Sequence, residues 1–464
     1  MPRVWDVPVH DSTRVRDARV AAEGAAELAG LDRARADAAA LVATELATNL
    51  LKHAAGGRLV VEVVSPPDAG GGARRSAVVQ IAAVDHGPGM ADVAAALRDG
   101  YTTAHSLGAG LGTCRRVADD FHLHSTPGRG TVAVARLGPG RPKRAAGHPA
   151  DRATGREADP GPGRAAGRET DPAPGRAAGR PTDPAAGRGA DPAAGRPTDP
   201  AAERPAHPAA GRPTDPAGRA ADPAAGRTEP SLGATGWTSG EPGRSPDATG
   251  AVPSPPSGSG RTGVRAGGLN VPYAAAEYSG DAWAWAGAGE LRTLLLADGL
   301  GHGPEASRAS AAAVEALHRS PRLSPAELLR QLDAALRGTR GAAVAVAQLD
   351  LRERVLRFAG IGNIGARLRE AGSWRPLLSR PGIVGVHRHA NLPETRLPWT
   401  DESLLVVHSD GLPSRWTPPA EPGLLTADPA LVAAVTIRDA SSSARPVRDD
   451  TAVAVLAPNP PERP

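Results

Sequence analysis

The sequence predicts an α+β protein, with two globular parts on either side of a long disordered segment. Three observations predict it. Residues 1–140 alternate β-branched runs with Ala- and Leu-rich runs of helical length, the pattern of one α/β domain. Residues 141–262 are so rich in Pro, Gly, Ala and Arg that almost nothing there can form a core. From residue 263 to about 458, paired apolar strands with helices between them predict a second sandwich whose helices pack on sheet faces.

Composition narrows the functional classes. The chain has 464 residues, enough for two to four domains, and its one cysteine, Cys114, excludes an internal disulfide and points to a reducing compartment. The N-terminus lacks the apolar core of a signal peptide, and no apolar run is long enough to span a bilayer. A cytoplasmic protein with no membrane partner is therefore expected. The net charge is +4, and residues 141–262 hold 17 Lys and Arg against 14 Asp and Glu, so most of the excess sits in the biased segment. No basic face of the kind that binds nucleic acid is evident. Aromatics make up 3% of the chain, so the cores must be built from Ala, Val and Leu.

In order, Val15–Leu28 and Arg33–Ala54 read as helices and Leu59–Val64 and Val78–Val84 as strands. Gly108 to Gly112 reads as a glycine-rich loop leading into a helix over Thr113–Asp120. Phe121–Ser125 and Thr131–Leu137 read as a closing strand pair. In the middle segment the unit Asp-Pro-Ala-Ala-Gly-Arg recurs at Asp183 and Asp191, with relatives at Asp171, Asp199 and Asp215. It offers no apolar residue larger than Ala to stack, so a linker is expected rather than a solenoid. Further on, Leu291–Ala297, Ala342–Leu349, Val355–Gly360, Ser403–His408 and Ala452–Leu456 read as strands, and Ala306–Arg319 and Pro325–Leu336 as helices.

Several of the C-terminal strand ends carry acid. Leu294-Leu295-Leu296-Ala297 runs into Asp298-Gly299, and Leu404 to His408 runs into Ser409-Asp410-Gly411. Asp281 follows Gly280, and Asp449-Asp450 precedes the last strand. One Asp-Gly after a strand is usually a turn. Several such ends with oxygen donors only, and no His/Cys spacing, suggest a two-metal carboxylate centre that could clamp a phosphate and activate water. The ordered motifs GD, ADGLGHG, GIGN (Gly360 to Asn363), SDGL and RDD resemble the SpoIIE-type branch of the PPM serine/threonine phosphatases, over roughly residues 268–456. The resemblance implies a PPM-type αββα sandwich and two Mn2+ or Mg2+ ions. It implies that Asp298 bridges the metals as the central catalytic carboxylate, that Gly299 gives its carbonyl, and that Asp281, Asp410 and Asp449 complete the shells. Where the family often has Thr two residues after the final Asp pair, this chain has Thr451 immediately after it and Ala452 in that place, so either Asp449 or Asp450 can be the ligand. Asp449 is the preferred choice. His302 is a candidate acid or a group behind the ligands, and Asn363 reads as structural.

The N-terminal part has its own constellation. Glu45 and Asn49 are four apart, on one helix face. Asp85 ends a strand and leads into Gly87 and Gly89, an arrangement in which the carboxylate can accept from an amine and the backbone can approach closely. Gly108, Gly110 and Gly112 open a helix, where free N–H groups favour phosphate. In that order these resemble the Bergerat-type (GHKL) ATP-binding fold, an α/β sandwich, and within it the RsbT-type serine kinases of bacterial anti-sigma and stress switches. The resemblance implies ATP with Mg2+, Asn49 as the Mg2+ ligand, Glu45 as base or water-orienting group, Asp85 as the adenine acceptor, and the five glycines as the nucleotide loop. No phosphoacceptor histidine motif is present.

Together these resemblances imply a bifunctional partner-switching regulator. A kinase domain (1–140) would phosphorylate Ser or Thr of a STAS-type antagonist, and a phosphatase domain (263–458) would remove the phosphate from the same or a sister protein. A sigma factor is a further implied partner. A flexible linker over 141–262 would have an r.m.s. span of roughly 60 Å on coil scaling, so both domains could share one partner by effective concentration. Two other readings stand: a phosphatase with an ATP-sensing, non-kinase N-terminal domain, and a non-enzymatic anti-sigma binding module.

Overall fold

In the N-terminal part the β-branched runs become strands and the Ala-rich runs helices. The computed structural model describes residues 3–64, 77–97, 110–139, 263–387, 391–442 and 444–460. The elements are β1 (Val4–Val9), α1 (Thr13–Leu28), α2 (Arg33–Ala54), β2 (Gly57–Val64), β3 (Val78–Val84), α3 (Val93–Ala96), α4 (Gly110–Val117), β4 (Asp120–Thr126) and β5 (Gly130–Leu137). The strands form one antiparallel sheet in the order β1-β2-β3-β5-β4. Helices α1 and α2 cover one face of it, and Ala22, Ala25, Ala43 and Ala47 pack fully buried against Leu59, Val61 and Ile81. Small alanines let the two helices lie close, so the core closes without aromatics. Helix α2 starts at Asp32, whose side chain accepts from Arg35 N, and stops at Ala55 in the left-handed region at φ 57°.

The C-terminal part holds β6 (Val264–Val271), β7 (Asp281–Ala288), β8 (Leu291–Gly299), α5 (Pro304–Arg319), α6 (Pro325–Ala335), β9 (Ala342–Asp350), β10 (Val355–Ile361), β11 (Gly365–Glu370), β12 (Ser373–Leu377), β13 (Thr395–Pro398), β14 (Leu404–His408), α7 (Pro422–Leu425), α8 (Pro429–Ala440) and β15 (Thr451–Pro458). Two five-stranded sheets, β13-β10-β9-β8-β7 and β12-β11-β14-β15-β6, stack face to face over a core of Leu294, Leu296, Phe358, Leu405 and Leu456. Helices α5 and α6 cover the outer face of the first sheet. Helix α6 carries a full capping box, Ser324 with Glu327. Helix α8 covers the outer face of the second sheet. This is the αββα sandwich the sequence predicts.

Two points differ from the sequence reading. Helix α4 begins at Gly110, so Gly110 and Gly112 are helical rather than part of the loop. Strands β1, β6, β7, β11, β12 and β13 and helices α3, α7 and α8 went unread. Every residue of α8 from Pro429 to Arg438 is buried, so its sequence shows no polar face by which to read a helix. The segment 141–262, expected as linker, lies outside the described residues, as does Gly108.

Helix α8 is buried all round because it serves two sheets. One side packs on β6 and β15, and the other packs on the second face of the N-terminal sheet, against Val60, Ala82, Val132 and Val134. Met1–Gly147 and Ser257–Pro464 accordingly group as one compact unit. Fully burying each of Leu431, Val432, Val435 and Ile437 contributes roughly 1.5–3 kcal/mol. Beside this apolar patch runs a polar row in cross-strand register: Glu62, Gln80 and Arg136 on β2, β3 and β5. Arg136 donates to Gln80 Oε1 at 2.9 Å and grips Asp428 with two bonds of 2.9 and 2.7 Å. Asp428 is also the N-cap of α8. Burial opposes its charge, but the Arg136 bonds prevail and hold its carboxyl below the usual range.

Burial pushes the Glu62 carboxyl from 4.5 up to about 8, against hydrogen bonds from Gln80 and Trp283 and the nearby Arg136 charge. A carboxyl raised in the folded state leaves its stability contribution intact below the unfolded value and loses it as pH rises through the folded one. Glu62→Gln is therefore expected to gain stability relative to wild type as pH rises from 4.5 to about 8. Paired thermal melts across that range check this, and a difference that does not change with pH contradicts it.

Candidate functional site

Antiparallel pairing brings the acidic strand ends to one place. Asp281 opens β7 and stands in register with Asp298 near the end of β8. Asp410 follows β14, Asp449 and Asp450 precede β15, and Ser409 N donates to Ala452 O at 3.0 Å, which joins those two ends. Burial, then repulsion by Asp410, Asp449 and Asp450, pushes Asp298 up to about 7, against a bond from Asn363. Burial and Asp298 push the fully enclosed Asp281 well above the usual range, although Ser409 donates to it. Burial and Asp449 raise Asp410 in the same way.

Neutral groups anchor these carboxylates. Asn363 donates to Asp410 Oδ2 at 2.5 Å. Asp450 accepts from Tyr273 N and Gly280 N, each at 2.7 Å, so both of its oxygens secure the loop ahead of β7. Asp449 is exposed and uses Oδ1 to accept from Asp450 N at 2.8 Å. His302 is exposed and close enough for its charge to act on Asp450. Gly299 has a packing reason to be glycine, because a Cβ there would stand 2.1 Å from Ala306 O on α5. Ser409 and the Tyr273 and Gly280 amides were not legible in the sequence, since ordinary loop residues carry no chemical signature.

Among the described residues no three His, Cys, Asp or Glu side chains converge as a ready-made metal cage. The donor set still fits a divalent ion. Asp281 Oδ2 is buried without a hydrogen-bond partner, the carboxylates repel one another, and the donors are oxygens of the kind Mg2+ and Mn2+ take.

The second site lies in the N-terminal part. A cavity of about 480 Å³ opens between α2, the sheet and α4, lined by Asn49, His53, Asp85, Gly89, Gly110 and Thr131, among others. Its size suits a cofactor. Asp85 is buried, and its Oδ1 accepts from Gly87 N at 2.8 Å and Thr131 N at 3.1 Å. Burial nevertheless raises its carboxyl above the usual range. Glu45 and Asn49 both face the start of α4. A Cβ at Gly110 would lie 3.1 Å from Glu45 Oε2 and 3.5 Å from the Asn49 amide, which explains why α4 can begin on a glycine there. Asn49 Nδ2 is buried without a partner. Gly112 is buried within α4.

Residues 9–136 match the family described as histidine kinase-like ATPase domain, and residues 290–458 match stage II sporulation protein E (SpoIIE). The serine/threonine-protein kinase RsbT of Bacillus subtilis is 36% identical over 92 residues, covering 20% of this chain; the chain spans 64% of that relative's length. Among solved structures, the PP2C phosphatase domain of SpoIIE from Bacillus subtilis is similar at 16% identity and TM-score 0.37, over 43% of this chain and 64% of that one. The RsbU and RsbW domains of Rv1364c from Mycobacterium tuberculosis are similar at 18% identity and TM-score 0.38, over 44% and 63%. Among the described residues no helix is long and apolar enough to cross a membrane. The chain thus joins a region that matches a histidine kinase-like ATPase domain to a region that matches SpoIIE.

Proposed function

We propose that the protein is a bifunctional switch regulator, a metal-dependent phosphoserine/phosphothreonine phosphatase joined to an ATP-dependent serine kinase. The observation that carries the phosphatase reading is the gathering of Asp281, Asp298, Asp410 and Asp449, with a buried Asp281 oxygen left without a hydrogen-bond partner. Asp281, Asp298, the Gly299 carbonyl, Asp410 and Asp449 would hold two Mn2+ or Mg2+ ions; Asp450 is taken up by the loop. When bound, the ions supply positive charge for the phosphoryl oxygens and lower the pKa of a water nucleophile. Asn363 keeps Asp410 oriented, Ser409 keeps Asp281 oriented, and Asp450 fixes the loop that leads into β7.

In the N-terminal cavity Asp85 would accept from the adenine amine, Asn49 would ligate Mg2+, and Glu45 would orient the substrate hydroxyl. Gly87 and Gly89 would let the backbone approach the base, with Gly108, Gly110 and Gly112 beside the phosphates. The likeness to RsbT supports a protein kinase. The substrate reading is a STAS-type antagonist for the kinase and its phosphorylated form for the phosphatase, with a sigma factor downstream.

Two assays test this. With a phosphorylated antagonist, hydrolysis should require Mn2+ or Mg2+ and fall by about a hundredfold or more in Asp298→Asn, as loss of several kcal/mol of charge stabilisation implies. Unchanged hydrolysis in that variant sinks the metal-centre reading. With unphosphorylated antagonist and labelled ATP, transfer should occur in wild type and vanish in Asn49→Ala. Asp85→Asn should weaken nucleotide binding by about 10- to 100-fold, the size of a charged hydrogen bond. Nucleotide binding without transfer would assign the cavity to ATP sensing instead.

A further inference from the structure

Asp281 is 1% exposed, and its backbone is held from outside the carboxylate cluster. The Asn270 side chain donates to Asp281 O at 2.7 Å and accepts from Ser279 Oγ at 2.8 Å. Ser279 Oγ in turn accepts from Asp281 N at 3.1 Å. Asn270 thus fixes the start of β7 on both sides of its first peptide. Asn270 is fixed in turn by the other domain. It lies on β6, the edge strand of its sheet, and its backbone N–H donates to the Glu62 carboxyl. Two residues back on the same edge, Gly268 O accepts from Gln80 Nε2 at 2.8 Å. The Trp283 side chain, on β7 two residues past Asp281, donates to Glu62 as well. Gln80 Nε2 donates to Glu62 Oε1 at 2.8 Å and completes its surroundings. One fully buried side chain of the N-terminal domain therefore touches both the strand that carries Asp281 and the strand that holds it.

We propose that Glu62 is a positioning residue for the C-terminal metal centre, acting through Asn270 and Trp283 on Asp281, so that the docked N-terminal domain completes the phosphatase site in cis. This rests on the reading of the carboxylate cluster as a metal-dependent phosphatase centre. Partners behind a metal ligand typically set 10- to 100-fold in metal affinity, because a carboxylate free to turn loses its pre-set geometry. The second sheet face of a kinase domain then has a role in the phosphatase reaction, separate from its nucleotide cavity.

The test uses the full chain, Mn2+ titrated by calorimetry, and hydrolysis of para-nitrophenyl phosphate. Glu62→Met keeps side-chain volume and removes the acceptors; Asn270→Ala removes the side-chain bonds to Asp281 O and Ser279 Oγ. Each should weaken Mn2+ binding by roughly 10- to 100-fold. Excess Mn2+ should restore kcat, with KM for the phosphoester little changed, and Glu62→Gln, which keeps an acceptor oxygen, should stay close to wild type. Glu421→Gln, at the His124 contact on the rim of the same interface, should titrate as wild type. Because the two disrupting variants act at successive links between the N-terminal sheet and Asp281, misfolding of either leaves the other as the test. Wild-type Mn2+ affinity in both overturns the proposal while leaving the phosphatase reading intact. A wild-type chain that neither binds Mn2+ nor hydrolyses the ester overturns both.

Discussion

An edge strand presents unpaired N–H and C=O groups, and β6 is such an edge. Its outward Gly268 carbonyl and Asn270 amide are met by side chains of the N-terminal sheet, Gln80 and Glu62, where a further strand would otherwise sit. The row that supplies them ends in Arg136, which closes on Asp428 at the start of α8. The interface therefore satisfies three sets of buried polar groups at once: the edge of one sheet, the cap of one helix, and the row itself. Removing one partner strands the others without water, which makes this contact far more sensitive to single changes than the apolar patch beside it.

Helix α8 is the mechanical consequence. A flanking helix of an αββα sandwich ordinarily keeps a wet face. Here that face is taken by Val60, Ala82, Val132 and Val134, and its far end meets the loops beside Asp85. Arg438 donates to Gly130 O at 3.2 Å, and His86 bonds the Arg438 carbonyl at 2.9 Å. Gly130 and His86 both adjoin groups that orient Asp85, since Thr131 N binds its carboxylate. One helix thus spans from the interface row to the residues that hold Asp85.

Much of this was legible in the sequence wherever local chemistry decides local structure. The run into Asp298-Gly299 reads as a strand with an acid at its rim, and it is one. Arg33–Ala54 reads as the helix that puts Glu45 and Asn49 on one side, and both stand against Gly110. Helix α8 was missed because amphipathic period is what reveals a helix, and a helix buried on every side has none. The same physics hid the interface. Nothing in their local sequence sets Glu62, Gln80 and Arg136 apart, and only the partner surface turns them into a buried row. Gly110 and Gly112 read as loop because glycine weakens helices; the close approach of Glu45 and Asn49 to α4 overrides that preference.

Arg136 and Asp428 are expected to join the two domains into one cooperative body. Differential scanning calorimetry of the full chain tests it most directly. A single unfolding transition is predicted for wild type, and Arg136→Met, which leaves the buried Asp428 without its guanidinium partner at a cost of about 3–5 kcal/mol, should split it into two. Two separate transitions in wild type, at temperatures that Arg136→Met leaves unmoved, would contradict the account.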